Sequence, residues 1–266
     1  VIDAAPDRSQ RWTLLLDLLA DQGRLSVAEA ALRLRVSEAT VRRDFTALAD
    51  QQLVSRTHGG VVASSVAYDL PARYRARGLP GVTDRIAAAA ADLLEAGTVI
   101  GFNGGTTTTA TARRLALRSD LEGSPNRPAV TVVTNALNIA TELVLRPHIR
   151  TVTLGGVVRP RSYEQTGDLA RLVLDQLWLD VVVIGVEGFD VVAGATCHDD
   201  SEAGVNAAMV AHARRVVLVA AAEKLGRRSF ARICAVEEVD VLVTDVGAGA
   251  DVVAALSEAG VEVLLV

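Results

Sequence analysis

The sequence predicts an α/β fold in two parts, a small winged helix-turn-helix unit followed by a larger, Rossmann-like, mostly parallel sheet covered by helices. Three observations lead there. The length of 266 residues exceeds one small module and leaves room for a full α/β core in a second. The opening segment carries apolar residues at helical spacing broken by serine caps, whereas beyond residue 83 short β-branched runs alternate with helical patterns. Between them, residues 63–83 lack a sustained apolar period and contain Ser64, Ser65, Pro71, Gly78, Pro80 and Gly81. The domain junction is placed there, giving domains at 8–62 and 84–266.

In the first domain Trp12, Leu15, Leu16 and Leu19 recur at helical spacing, and Gly23 ends that helix. Ser26 is positioned to cap a second helix with Val27, Ala31 and Leu34 on one face. Ser37 is positioned to cap a third, burying Val41, Phe45 and Leu48. So tight a turn between two short helices is helix-turn-helix geometry. The buried stripe leaves Glu38, Ala39, Thr40, Arg42 and Arg43 facing outward near the start of the third helix, where a recognition helix reaches base edges. An arginine fork there pairs with guanine or grips phosphate at two points. Residues 53–62, LVSRTHGGVV, read as a two-stranded wing bending near Gly59 and Gly60, with Arg56 and His58 beside the DNA backbone or minor groove. Ser37, Thr40, Arg42, Arg43, Arg56, His58 and Gly59 are therefore the candidate contacts to double-stranded DNA. Asp44 is expected to pair with or orient an arginine, since a bare carboxylate facing phosphate weakens binding.

Beyond the junction, helices are predicted at 84–94, 107–117, 136–145, 168–177, 201–213 and 251–259. Strands are predicted at 98–102, 130–133, 151–154, 181–186, 215–220, 240–244 and 261–266. Strands apolar throughout and linked by helices specify a parallel sheet buried on both faces, with ligands bound beyond the carboxyl ends of its strands. The first such loop, Gly101-Phe-Asn-Gly-Gly-Thr-Thr-Thr-Thr109, gathers amides and hydroxyls at a helix start, which suits an anion. The same glycines serve equally as backbone punctuation. The string lacks the lysine of a Walker A loop and is not a complete dinucleotide fingerprint, so ATP and NAD fit it poorly and no cofactor is expected. Later strand ends supply Asn135, Gly155, Gly156, Glu187, Gly188 and Lys224. The run Cys197-His198-Asp199-Asp200 contains ligand-type side chains, but consecutive residues cannot all turn toward one ion, and it reads as a polar loop without a metal.

A net charge of −5 argues against a protein that coats nucleic acid, yet its distribution is uneven. Residues 8–60 carry eight arginines against six acids, a net of +2, and residues 61–266 carry 19 bases against 24 acids, a net of −5. Apolar runs such as 181–186 are too short to span a bilayer, for which about 20 residues are needed. The start, VIDAAPDRSQ, has no features of a secretion signal, and two cysteines do not make a disulfide framework. A cytoplasmic setting is expected, with no membrane partner.

The segments LRVSEATVRRDFTAL and SRTHGGVV closely resemble the DeoR family of bacterial repressors, whose pattern is roughly V-S-x-x-T-[IV]-R-R-D-L followed by R-x-H-G-G. The later order NGGTTT, VVTNALNIA, LGGVVRP, IGVEGFD, GATCHDDSEA, EKLGRRSFAR and VDVLVTD resembles the effector-sensing domain of the same family, so the resemblance covers nearly the whole chain. It implies a sensing fold related to ribose-5-phosphate isomerase and the CoA transferases, and an effector that is a phosphorylated sugar or a derivative. Gly105, Thr106 and Thr107 are then implied at the phosphate, with Asn135, Gly155, Gly156, Gly188, Glu202 and Lys224 around the pocket, and Asn103, Gly104 and Glu187 join them as candidate effector contacts from their own loop positions. Three positions that usually carry charge in the family are neutral here, Asn103, Ala221 and Asn206, which leaves open whether phosphate is the effector's handle.

The resulting expectation is a repressor of a carbohydrate-utilisation operon, acting as a homodimer or homotetramer because one helix-turn-helix reads about half a site. The rival is a sugar-phosphate isomerase with an accessory helical domain. It needs a general base, and with Asn103 and Ala221 neutral only Glu187, Glu202 and Asp199 remain for that role.

Overall fold

In the computed structural model, which describes residues 11–12, 14–15, 18–19, 24–50, 54–57, 59–63, 81–121, 123–124 and 126–266, the chain divides into two compact units, Val1–Arg77 and Gly78–Val266. The first unit is built on the two serine caps. Ser26 Oγ accepts from the Glu29 amide and starts helix α1 (Val27–Leu34). Ser37 Oγ accepts from the Thr40 amide and starts α2 (Glu38–Asp50). Between them Arg35 takes a left-handed conformation, φ 53°, so that its amide and that of Val36 both return to the Ala31 carbonyl and the chain reverses within one turn. Val41, Phe45 and Leu48 are buried as the periodicity requires, packed with Leu15, Leu19, Leu25, Val27, Leu34, Val54 and Val61.

The wing differs from its sequence reading. Strands β2 (Val54–Thr57) and β3 (Gly60–Ala63) form the expected hairpin, but a third strand, β1 (Arg24–Ser26), pairs antiparallel with β3. This explains the paired glycines: Gly59 turns the hairpin at φ 95°, and a Cβ on Gly60 would lie 2.3 Å from the Leu25 carbonyl oxygen of β1. His58, Gly23 and residues 64–80 lie outside the described residues.

The second unit alternates helix and strand as predicted, with bounds moved by a few residues. After α3 (Val82–Asp92) come β4 (Val99–Phe102), α4 (Thr106–Ala116), β5 (Val130–Thr134), α5 (Leu137–Leu143) and β6 (Ile149–Thr153). A short hairpin of β7 (Val157–Val158) and β8 (Gln165–Thr166) precedes α6 (Asp168–Leu174) and β9 (Val181–Gly185). The chain continues through β10 (Gly188–Asp190), β11 (Gly194–Cys197), α7 (Asp200–Ala211), β12 (Val216–Val219), β13 (Ala231–Cys234), β14 (Val241–Thr244), α8 (Ala250–Glu258) and β15 (Glu262–Leu265).

Seven strands form one sheet in the order β15-β14-β12-β9-β4-β5-β6, every pairing parallel. Its central strands send alternate residues to opposite faces. Val181, Val183, Val217, Val219, Val241 and Val243 pack with Ile86 and Ala90 of α3, Leu115 of α4 and Ile139 of α5, while Val182, Ile184, Leu218 and Leu242 pack with Leu174 of α6, Met209 of α7 and Leu256 of α8. Burial on both faces is why these strands read as unbroken apolar runs. The antiparallel sheet β10-β11-β13 is an addition that the alternation did not announce.

The chain leaves β4 toward β5 and β6, then returns to β9 on the other side of β4. The gap between the carboxyl ends of β4 and β9 is therefore the topological switch point, where sheets of this type bind ligands.

Candidate functional site

On the first unit the exposed side of α2 carries Glu38, Ala39, Arg42 and Arg43, with Thr40 half-buried beside the Ser37 cap. Arg42 is held loosely by Glu38, 3.0 Å away with both side chains more than half exposed, a pair worth about 0.3–0.5 kcal/mol and easily exchanged for another acceptor. Arg43 returns only one bond, to the Ala39 carbonyl. Asp44 faces the other way: it is 4% exposed and accepts from Arg11 Nε at 2.8 Å, Arg11 Nη2 at 3.2 Å and Trp12 Nε1 at 3.1 Å. Its role is to tie α2 to the leading helical segment, keeping a carboxylate away from the arginine surface. Arg56 is exposed on β2, one residue pair from the Gly59 turn.

In the second unit the β4–α4 loop sits at the switch point. Asn103 is 2% exposed and its side chain crosses the gap: Nδ2 donates to the Gly185 carbonyl at 2.9 Å and Oδ1 accepts the Gly185 amide at 2.8 Å. It is a staple between β4 and β9, a different use from the effector contact the sequence suggested. Gly105 turns the chain at φ 140° into α4. The amides of residues 105–108 and the hydroxyls of Thr106 and Thr107 then bond to no described residue. Thr108 and Thr109 instead return their hydroxyls to the Gly105 carbonyl and shape the turn. Open donors at a helix start, on the positive end of its dipole, are what an anion needs.

The first amide of this cradle is taken. Gly104 N–H donates to Glu164 Oε1 at 2.5 Å, and a Cβ on Gly104 would lie 2.6 Å from Glu164 Cγ. Glu164 is 3% exposed and was not anticipated from the sequence, where a glutamate in a polar loop looks like solvated surface. Burial, then the facing Glu202 carboxylate, pushes its pKa up to about 8. Tyr163 immediately before it adopts a left-handed conformation, φ 60°.

Asn135, at the end of β5, is fully buried within hydrogen-bonding reach of Glu164, and donates to Asn206 Oδ1 at 3.3 Å. Glu202, on the first turn of α7, accepts from Arg159 Nε at 3.0 Å and Ser162 Oγ at 2.5 Å, while Asp199 caps α7 and pairs with Arg159 at 2.7 Å. Asn103 to Thr107, Asn135 and Glu202 are thus brought together, joined by Glu164, Arg159 and Ser162, which the sequence reading missed.

The remaining positions are explained more simply. Gly155 and Gly156 take φ 77° and 107° where the chain leaves the sheet, and Gly188 packs against the Arg227 carbonyl, which a Cβ would approach to 2.5 Å. Lys224 Nζ donates to the Val186 carbonyl at 2.5 Å with Glu187 3.9 Å away, and hydrogen-bonds to none of the described cradle residues. Burial pushes the thiols of Cys197 and Cys234 up to about 11 and 12, so both are inert hydrophobes. Among the described residues no cluster of His, Cys, Asp and Glu fits a metal, and no helix is long and apolar enough to cross a membrane.

Residues 83–246 match the family description "DeoR C terminal sensor domain", and residues 11–66 match "DeoR-like helix-turn-helix domain". The chain belongs to the DeoR family of transcriptional regulators. This DeoR-family chain is 31% identical to the HTH-type transcriptional regulator GlpR of Haloferax volcanii over 96% of its own length and 97% of that protein's. It is 29% identical to the glycerol-3-phosphate regulon repressor of Escherichia coli K12, over 90% and 91% of the two chains. Among solved structures it is similar to the full-length sorbitol operon regulator SorC of Klebsiella pneumoniae (TM-score 0.41, 15% identity, 92% and 98% of the chains). It is also similar to ribose-5-phosphate isomerase A of Methanocaldococcus jannaschii (TM-score 0.38, 18% identity), of which it spans about half, 53%, with 54% of its own length. A DeoR-family chain with this head is a DNA-binding transcriptional regulator.

Proposed function

We propose that this DeoR-family regulator is a cytoplasmic repressor of a carbohydrate-utilisation operon, that it has no enzymatic activity, and that a phosphorylated sugar is its effector. The observation that carries the effector assignment is the set of open amides at residues 105–108 and open hydroxyls of Thr106 and Thr107 at the switch point. The relative called the glycerol-3-phosphate regulon repressor supports a small phosphorylated metabolite. In this reading Arg42, Arg43 and Arg56, with Ser37, Thr40, His58 and Gly59, meet the operator. Residues 8–62 and 84–266 are the working domains, joined by 63–83, and two or four copies act together on repeated half-sites. Against an enzyme, Glu202 and Asp199 are both taken by Arg159, and Glu187 lies beside Lys224 and His198, so none of the three is a ready base.

The test pairs two sets of variants. Arg42→Ala and Arg43→Ala each weaken operator binding with little change in melting temperature; a lost base contact costs about 1–3 kcal/mol, and a lost phosphate contact lowers the salt slope by about one. Thr106→Val and Thr107→Val each weaken binding of sugar phosphates about tenfold, a lost hydrogen bond to a charged group being worth about 1.5–3 kcal/mol, and leave operator affinity without effector intact. Unchanged sugar-phosphate binding in both threonine variants removes the anion assignment.

A further inference from the structure

Asp44 and Glu164 are the buried acids among the described residues, and they are solved differently. Asp44 is neutralised by Arg11. Glu164 has no ion pair among the described residues and faces a second acid, Glu202. An unpaired buried carboxylate costs several kcal/mol, so such a group is either protonated or under strain that something else offsets. We propose that Glu164 is a tethered occupant of the anion cradle, holding the sensor site shut with its carboxyl group on the Gly104 amide, and that an anionic effector binds by evicting it and lifting residues 155–166 from α4 and α7. The inference rests on the anion assignment above and adds how that site is gated.

Three features support it. Gly104 is cut to fit the glutamate, since any side chain there would collide with Glu164 Cγ, so the cradle's first donor is built to be filled from within. Asn135 Oδ1, fully buried beside Glu164, has no hydrogen-bond partner among the described residues, an orphan that a ligand hydroxyl would satisfy once the glutamate leaves. The segment carrying Glu164 is fastened by polar contacts that can exchange: Arg159 to Asp199 and Glu202, Ser162 to Glu202. Its backbone joins the end of β5 through Leu137 N to Tyr163 O and Gln165 N to Asn135 O, and residues 163–166 are buried there.

The charged and titratable groups around Glu164 fix the proton balance. Glu202 faces it from α7, Arg159 of its own segment pairs with Glu202 and with the α7 cap Asp199, Cys197 at the end of β11 is a neutral thiol, and the first turns of α4 carry only threonines and an alanine. In the closed state the protonated carboxyl accepts from Gly104 through one oxygen and presents its hydroxyl to Glu202. Evicted into water, Glu164 returns to the ordinary carboxylate range, near 4.3, and loses that proton to buffer. Effector binding between about pH 5 and 8 therefore releases about one proton, and affinity rises with pH by up to tenfold per unit.

The experiment is calorimetric titration of the full chain with sulfate, which stays dianionic over this range, and with inorganic phosphate, in buffers of different ionisation enthalpy at pH 6 and 7. The parent releases about one proton per sulfate. Glu164→Gln keeps the bonds of the protonated acid to Gly104 and Glu202, so it stays closed, binds weakly and releases none. Glu164→Ala, checked for a cooperative melt, binds sulfate more tightly than the parent, also without proton release. Equal affinity in parent and Glu164→Ala with no proton released overturns the eviction and leaves the anion site standing, with the ligand on residues 105–108 alone. Failure of sulfate, phosphate and sugar phosphates to bind either the parent or Glu164→Ala overturns both.

Discussion

Asn103 shows how one atom decides what a side chain is for. Both ends of its amide are used by Gly185, one as donor and one as acceptor, and this closes the gap between β4 and β9. A carboxylate, the usual residue of the family at this point, would keep the bond from the Gly185 amide but would set an oxygen against the Gly185 carbonyl. Asn103→Asp therefore removes one buried hydrogen bond and leaves a carbonyl facing negative charge, lowering the stability of the sensor unit by about 1–3 kcal/mol in urea titration at neutral pH. Equal stability would mean that the β4 and β9 ends separate without cost. Individual residues were only partly legible in the sequence. Polar type and strand-end position selected Asn103 and Asn135, and the family resemblance implied Glu202, but their orientation, toward Gly185, Asn206 or Arg159, depends on residues many tens of positions away. Glu164 carried no signal because what buries it, Gly104, Asn135 and Glu202, lies tens of positions away in the sequence.

Among elements, legibility follows the source of stability. α2 has its own cap and its own apolar stripe, and β9, β12 and β14 are apolar throughout, so each was readable from its own residues. β1, three residues long, exists only because β3 offers it a pairing edge, and β7 and β8 only because Gly155 and Gly156 fold the chain back. The α1–α2 turn lies between these cases. Its sharpness was evident from two closely spaced serine caps, but Arg35 was not marked as left-handed, since glycine is the residue that ordinarily announces that conformation. An L-residue there costs about 1–2 kcal/mol, partly offset for glycine by greater freedom in the unfolded chain. Arg35→Gly should thus stabilise the head by up to about 1 kcal/mol. Hydrogen exchange at the α1 and α2 amides of the full chain would slow, while a faster rate would mean that the Arg35 side chain makes a contribution larger than its backbone strain.

For the whole molecule, charge balance and proton uptake set how stability answers to pH. The buried Glu164 is an acid whose pKa is raised on folding, to about 8, so the folded chain binds a proton that the unfolded chain gives up above the ordinary glutamate range. The resulting stabilisation is fully present below that range and is lost as pH rises toward 8, with a slope of at most about 1.4 kcal/mol per pH unit and none beyond. This runs against the usual behaviour of carboxylates paired in the native state, which destabilise a fold as they are protonated. The chain also holds four histidines, two of them 3.7 and 3.9 Å from acids, His198 from Glu187 and His212 from Asp175, so the parent's curve alone does not isolate the glutamate. The difference between parent and Glu164→Gln does, because both share every histidine. Urea unfolding of the two full-length chains from pH 5 to pH 8 should show the parent losing stability relative to the glutamine variant as pH rises. A difference that stays flat, or grows in the parent's favour, would mean that Glu164 is ionised in the folded protein, and the closed site would then have to be held by charge on the Gly104 amide instead of by a shared proton with Glu202.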